Sequence, residues 1–126
     1  MLNLRTFALL AILAVAAAAI TIAPAASAKG GRGVTVSGAC SKTSSSKLKL
    51  SREDAGLEIE FEVDQNRNGV PWKVTLHRNG SLVTSTTRTT HAPSGSFSLR
   101  RTIAGAGTIV ATATRAGERC TAHASL

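Results

Sequence analysis

Strict alternation of apolar and acidic residues runs through the segment GLEIEFEVD, residues 56–64. Every second position is apolar: Leu57, Ile59, Phe61 and Val63. The positions after them are all acidic. Side chains of a β-strand point alternately to its two faces, so this spacing predicts a strand with one buried face and one solvated face. A helix would need apolar residues three and four positions apart, and the segment does not have them.

The same period of two recurs along the chain. It predicts about eight short strands: residues 34–40, 46–51, 57–63, 72–77, 81–90, 96–103, 107–114 and 119–126. Asn79-Gly80 is a strong hairpin signal, and residues 104–107 and 115–118 are glycine-containing turns. Residues 91–96 form a longer loop that could cross between sheets. This pattern is typical of an all-β sandwich or a small barrel.

Two predicted strands have irregular patterns. The threonine-rich segment 81–90 is weakly patterned, which suits an edge strand. In the segment 96–103, Arg101 interrupts the apolar face that contains Leu99 and Ile103. We expect a bulge or a strand end at Arg101.

The N-terminal residues 1–28 resemble a signal peptide. Arg5 supplies the positive start, residues 7–22 are almost entirely apolar, and AASA ends at Ala28 with the small-residue pattern of a cleavage site. An uncleaved membrane anchor is the alternative, but the run is rich in Ala and shorter than the ~20 residues of a membrane span. The predicted organisation is therefore a signal peptide (1–28), a flexible basic leader (29–33) and one β-sandwich domain (34–126).

The two cysteines, Cys40 and Cys120, lie near the two ends of the predicted domain. In an exported chain, an even pair predicts a disulfide. Closing a loop of about 80 residues stabilises the fold by about 4.5 kcal/mol in the chain-entropy model. That is a large contribution for a domain with so small a core.

Several of these features together resemble a known architecture. The tail SGSFSLRRTIAGAGTIVATATRAGERCTAHASL looks like the closing strands of immunoglobulin-like and fibronectin type III-like modules. With its signal segment, Cys40, Trp72, Asn79-Gly80 turn and Cys120, the chain resembles small exported Ig-like proteins of high-GC, actinobacterial-type bacteria. The resemblance implies an Ig-like antiparallel β-sandwich of seven or eight strands. The spacing from Cys40 to Trp72 is longer than in immunoglobulin domains, and the bridge would join the first and last strands.

The segment DQNRNG, residues 64–69, resembles the first half of a calcium loop. Asp64, Asn66 and Asn68 stand at the ligand positions 1, 3 and 5, but position 12 is Thr75 instead of a bidentate acid. Asp and Asn also form turns by hydrogen bonding to their own backbone. We therefore predict a connection between strands and no metal, with a weak calcium site as the alternative.

The acidic positions of residues 57–63 are predicted to be charge-paired and not catalytic. If this strand forms a hairpin with residues 72–77, Glu62 would lie near Lys73 and Glu58 near His77. Lysines of the segment 46–51 would flank its other side.

Other catalytic signals are weak. His77, His91 and His123 are scattered, and the His123 spacing to Cys120 would suit zinc only if that cysteine were free. The serines lack a nucleophile-elbow motif. We therefore predict no enzymatic activity and no cofactor.

The charge of the chain suggests a class of partner. The net charge is +8, and all of it except Arg5 belongs to the predicted mature chain. We expect no nucleic-acid partner. The aromatic residues after position 28 lie at inward positions, whereas single strands need exposed rings, and the arginines are spread over different segments without a basic cluster for a phosphate backbone. The surface-binding candidates on turns and strand ends are Arg67, Arg78, Arg88, Arg115 and Arg119.

The sequence is compatible with two functions. The first is a secreted, non-enzymatic binding module for an anionic cell-envelope polymer or surface, with no membrane span in the mature chain. The second is a secreted inhibitor or interaction protein that acts on another protein. The charge has a plainer interpretation too, which is that it only keeps the protein soluble.

Intact mass spectrometry of the exported protein tests the predicted processing. We expect an N-terminus at Lys29 and no thiol that can be alkylated without reductant, because both cysteines are in the bridge. A start upstream of Lys29 would contradict the cleavage site, and two alkylated cysteines would contradict the disulfide.

Overall fold

A computed structural model describes residues 33–126. The predicted signal peptide and residues 29–32 of the leader lie outside the described residues, and Gly33 is the first residue of the first strand. Among the described residues, no helix is long and apolar enough to cross a membrane.

Residues 33–126 form nine strands in two antiparallel sheets. The strands are β1 (Gly33–Ser37), β2 (Ala39–Cys40), β3 (Ser45–Glu53), β4 (Gly56–Asp64), β5 (Pro71–Arg78), β6 (Ser81–Thr89), β7 (Ser96–Ala104), β8 (Thr108–Arg115) and β9 (Glu118–Ser125). Sheet A has the order β1-β3-β4-β7, and sheet B has the order β2-β9-β8-β5-β6. The predicted all-β, Ig-like sandwich is confirmed. The extra strand arises because the predicted segment 34–40 is divided in two at Gly38.

The core lies between the two sheets and is built from the predicted inward positions. Phe61, Trp72 and Phe97 are all buried, and the ring centroids of Trp72 and Phe97 are 6.2 Å apart. Phe61 and Phe97 belong to sheet A and Trp72 to sheet B, which also contributes the small side chains of Ala111 and Ala113. Large and small side chains thus fill one apolar layer, as expected for two packed sheets.

The chain passes from sheet A to sheet B at Gly38. β1 pairs with β3, whereas β2 pairs with β9. A Cβ added to Gly38 would lie 2.1 Å from Ser46 Oγ and 2.8 Å from the Thr121 carbonyl oxygen. Only glycine allows the backbone to pass this close to both sheets, so the crossing closes one side of the sandwich.

The Cys40–Cys120 disulfide is confirmed. The two residues are direct partners in the β2–β9 pair, with their Cα atoms 4.0 Å apart. The bridge therefore lies within sheet B and fastens a two-residue strand to the last strand of the chain.

The Asn79-Gly80 hairpin is confirmed as well. Arg78 pairs with Ser81, and both turn residues have positive φ, 49° for Asn79 and 84° for Gly80. Two positive φ values define the type I′ turn, whose twist matches that of the flanking strands.

The hairpin considered between residues 57–63 and 72–77 does not form. β4 pairs with β3 and β7, while β5 pairs with β6 and β8, so Glu62 and Lys73 lie in different sheets. Residues 65–70 cross between the sheets instead of turning back. The expected flanking lysines are confirmed, since β3 and β4 are direct neighbours.

The irregularity expected at Arg101 is also absent. β7 continues to Ala104 without a bulge, and Arg101 stands opposite the buried Ile59. β7 is the outer strand of sheet A, so the Arg101 side chain remains exposed although its position faces inward. The bulge lies instead between Leu76 and His77, against the predicted edge strand β6.

Replacing Gly38 with Ala tests the crossing between sheets. We expect Gly38→Ala to lower the free energy of unfolding by about 1–3 kcal/mol, because the added Cβ overlaps the Ser46 hydroxyl and the backbone carbonyl oxygen of Thr121. Urea unfolding provides the measurement, with the exposed neighbour Ser37→Ala as the control. Equal stability of the two variants would contradict the tight crossing.

Candidate functional site

Four connections meet at one end of the sandwich, which we call the loop end. They are residues 41–44, 65–70, 90–95 and 116–117. The opposite end, called the hairpin end, carries residues 54–55, 79–80 and 105–107. The strand registers place every inter-sheet crossing except residues 105–107 and Gly38 at the loop end.

The structure brings four of the five candidate arginines to the loop end. Arg67 is in the loop after β4, Arg88 and Arg115 are near the ends of β6 and β8, and Arg119 is near the start of β9. Arg78 does not join them. It lies at the hairpin end, where its guanidinium donates a hydrogen bond to the carbonyl oxygen of Ala104.

Two further cations lie at the loop end and were missed by the sequence analysis. Lys73 faces outward on β5, and across sheet B it is in one row with Thr114 and Arg119. Lys42 lies beside the turn between β8 and β9, with its Nζ 3.9 Å from the place of a Cβ on Gly117. No local sequence pattern marks this row, because the pairing of β5 with β8 joins segments that are far apart in the chain.

Charge is divided unequally between the two sheets. The strands of sheet A and the β3–β4 turn carry five cations and six acids. The other described residues carry seven cations and one acid, Glu118, which is buried. Within the described range, the only cations in ion pairs are Arg100 and Arg115. The outer face of sheet B therefore presents positive charge with no exposed acid on the same sheet, whereas the loop end also carries Asp64.

Among the arginines at the loop end, Arg115 differs because its guanidinium is already engaged by Trp72 and Glu118. Its guanidinium lies 5.5 Å from the ring centroid of Trp72. Its Nε donates to Glu118 Oε1 at 3.1 Å, and a second nitrogen lies 3.0 Å from the same oxygen. Glu118 therefore pairs with Arg115 and not with its chain neighbour Arg119.

The carboxylate of Glu118 contacts both Ser44 and Arg115 at the loop end. Burial alone would raise the pKa of its carboxyl, but hydrogen bonding by Ser44 and the adjacent Arg115 outweigh it and hold the pKa below the ordinary value. The Ser44 backbone N–H donates to Oε2 at 3.2 Å. The Ser44 hydroxyl oxygen is buried near the carboxylate, but it makes no hydrogen bond with any described residue. The carboxylate thus fastens the β2–β3 loop to the β8–β9 turn.

The DQNRNG segment is the connection between β4 and β5. The Asn66 backbone N–H donates to Asp64 Oδ1 at 3.0 Å, and Asn66 has a φ of 59°. This is the local turn bonding that the sequence predicted for these residue types. Asn68 is exposed. Among residues 33–126, no group of three or more His, Cys, Asp or Glu side chains could hold a metal ion.

The acidic stripe of β4 faces solvent on the outer side of sheet A. Arg100 on the neighbouring β7 lies 2.8 Å from Glu60 Oε2 and 3.9 Å from Glu58 Oε1. Lys47 and Lys49 are the register partners of Glu62 and Glu60 on β3. The outer face of sheet A is therefore open to solvent, and its acids lie beside cations of the neighbouring strands.

The histidines remain apart from the acidic stripe. His77 and His123 lie on the outer face of sheet B, in one row with Val110 between them. His91 lies in the loop after β6 and makes an isolated bridge to Ser96.

Comparison with family models, with curated protein sequences and with solved structures gave no match. The charge and the geometry of this chain are therefore the basis for the function proposed below.

The variant Glu118→Gln tests the buried carboxylate. We expect it to lower the free energy of unfolding by about 1–3 kcal/mol near neutral pH, because an amide cannot accept all the hydrogen bonds that the charged group accepts. The exposed Glu53→Gln is the matched control, and its effect should stay within about 0.5 kcal/mol.

The pH dependence follows from the lowered pKa. The stabilisation is present above the unfolded-state carboxyl pKa, about 4.3, and is lost as the pH falls through the folded-state pKa. In urea unfolding at a series of pH values, the difference between wild type and Glu118→Gln should therefore shrink in acid. A difference that does not change with pH would contradict the role of the carboxylate.

Proposed function

We propose that this protein is an exported, non-enzymatic binding module that attaches to an anionic cell-envelope surface. The observation that carries the proposal is the unequal division of charge. Cations without an acidic partner collect at the loop end and on the adjoining row of sheet B, whereas the acids lie on sheet A. A surface of one sign attracts polyanions and raises the rate at which they associate.

Export is supported by two features. The predicted signal peptide precedes the domain, and the domain itself contains a disulfide, which persists in oxidising compartments. The bridge also supports a small domain that has to remain folded outside the cell.

The described surface supports a charged partner over an aromatic-stacking one. All three described aromatic residues are buried, so no ring is left to stack on a base or a sugar. Leu82, which is 60% exposed, is the only large apolar side chain that residues 33–126 expose. Protein–protein interfaces are enriched in aromatic side chains, and residues 33–126 expose none, so the alternative of an inhibitor has less support.

Charge variants and salt test the proposal. The double variant Lys73→Gln/Arg119→Gln removes two cations of the row on sheet B, and Arg52→Gln/Arg101→Gln removes two from sheet A. Near an anionic surface each cation contributes about 1 kcal/mol, so we expect the first variant to bind about tenfold more weakly or worse, and the control to bind much as wild type does.

Retention on isolated wall fragments and on vesicles with anionic phospholipid is the measurement. Wild-type binding should weaken steeply from about 0.1 M to about 1 M salt, as the Debye length falls from ~10 Å to ~3 Å. Retention that changes neither with salt concentration nor in either double variant would favour a protein partner. No binding at low salt would leave the charge as a determinant of solubility.

A further inference from the structure

A polar groove crosses the loop end of sheet A. Its larger part has a volume of about 400 Å³ and is lined by Thr43, Ser45, Asp64, Gln65, Asn66 and Arg67. Its smaller part, of about 220 Å³, is lined by Ser37, Ser45, Ser46, Lys47 and Glu62. Ser45 lines both parts, so the two adjoin at this residue.

Both parts of the groove contain the same chemical groups. The larger has one carboxylate (Asp64), one cation (Arg67) and two hydroxyls. The smaller has one carboxylate (Glu62), one cation (Lys47) and three serine hydroxyls. Neither carboxylate belongs to an ion pair of the described range, although Lys47 and Glu62 are direct strand partners. Each part therefore offers both an acceptor and a cation to a ligand.

The larger part is held rigid from beneath. Trp72 Nε1 donates to Gln65 Oε1 at 3.1 Å, and the Gln65 backbone N–H donates to the Gly95 carbonyl oxygen at 3.0 Å. A Cβ on Gly95 would lie 2.3 Å from the Arg67 backbone nitrogen, so the two crossing loops pack directly on each other. A site fixed in this way loses little conformational entropy when it binds.

Positive charge continues past one end of the groove. The Ser41 backbone N–H donates to the Arg119 carbonyl oxygen, and Ser41 Oγ accepts from the Arg119 backbone N–H, both at 2.9 Å. This places the β2–β3 loop, with Lys42 and Thr43, between Arg119 and the groove. A chain lying in the groove would contact the cations of Arg67 and Lys47, the carboxylates of Asp64 and Glu62, and the hydroxyls that lie beside them.

We infer that the groove binds a polyol-phosphate polymer, that is, hydroxylated units joined by phosphodiesters. The inference rests on the proposed function and names its ligand. The cations bind the phosphates, and the carboxylates of Asp64 and Glu62 accept hydrogen bonds from the polyol hydroxyls. A polyanion without hydroxyls would only be repelled by these carboxylates. The repeated set of groups matches a repeating chain.

The variant Asp64→Asn separates hydroxyl recognition from simple attraction. It keeps an oxygen for the Asn66 backbone N–H and removes one negative charge. Charge alone would make this variant bind every polyanion more tightly. Recognition of hydroxyls predicts the opposite for a polyol-phosphate, because the amide is a poorer acceptor than the carboxylate. Glu53→Gln, at the hairpin end, is the matched control with the same change in charge.

The probes are synthetic poly(glycerol phosphate), inorganic polyphosphate of similar charge and the RNA homopolymer poly(U), each titrated by calorimetry at low salt. We expect Asp64→Asn to weaken poly(glycerol phosphate) binding by about tenfold and to leave polyphosphate binding unchanged or tighter. Glu53→Gln should not weaken the binding of either polymer. Thr43→Val should show the same selective loss without any change in charge, and melting temperatures confirm that each variant is folded.

Each outcome decides the inference. Selective loss in Asp64→Asn and Thr43→Val supports it. Tighter binding of both polymers by Asp64→Asn overturns it and leaves the proposed attachment by charge intact. Preference of the wild type for poly(U) overturns it in favour of nucleic acid. If the wild type binds none of the three polymers, the proposed function fails together with the inference.

Discussion

The first part of the described chain must pair with both sheets, and the rest of the sandwich depends on how it does so. β1 completes sheet A and β2 completes sheet B, and the crossing between them is possible because Gly38 has no side chain. β2 has only two residues, too few to remain paired by hydrogen bonds alone, and its last residue is covalently bonded to β9. The disulfide therefore fixes the position of the β2–β3 loop, which supplies Thr43 to the groove and Ser44 to the buried carboxylate.

Closing one side leaves the opposite side of the sandwich open. β6 and β7 are the outer strands there, and each carries an arginine at an inward-facing position, Arg88 opposite Trp72 and Arg101 opposite Ile59. An inward-pointing charge on an outer strand disfavours pairing with a strand of another molecule. These arginines interrupt the apolar pattern, and they are consistent with a small domain that does not aggregate through its outer strands.

The candidate surface follows from the same topology. Because β4 and β5 belong to different sheets, the acids of β4 are removed from the cations of β5, β8 and β9. Had the two strands formed a hairpin, Glu62 would have neutralised Lys73, and the positive row would not exist. The crossing loop that separates them also brings Asp64, Asn66 and Arg67 to the groove, so the residues first considered for calcium lie where a hydroxylated anion could bind.

The sequence by itself determined the strands, the inward faces, the type I′ turn at Asn79-Gly80 and the Cys40–Cys120 pair. These features depend on local rules: the two-residue period, the need for positive φ, and the presence of only two cysteines. Only the tertiary structure decided which strands share a sheet, that β7 runs straight past Arg101, and that Lys42 and Lys73 join Arg119. Sheet membership depends on contacts between segments far apart in the chain, where many pairings satisfy the same alternation. The packing of one shared core, together with the close crossing at Gly38, selects among them.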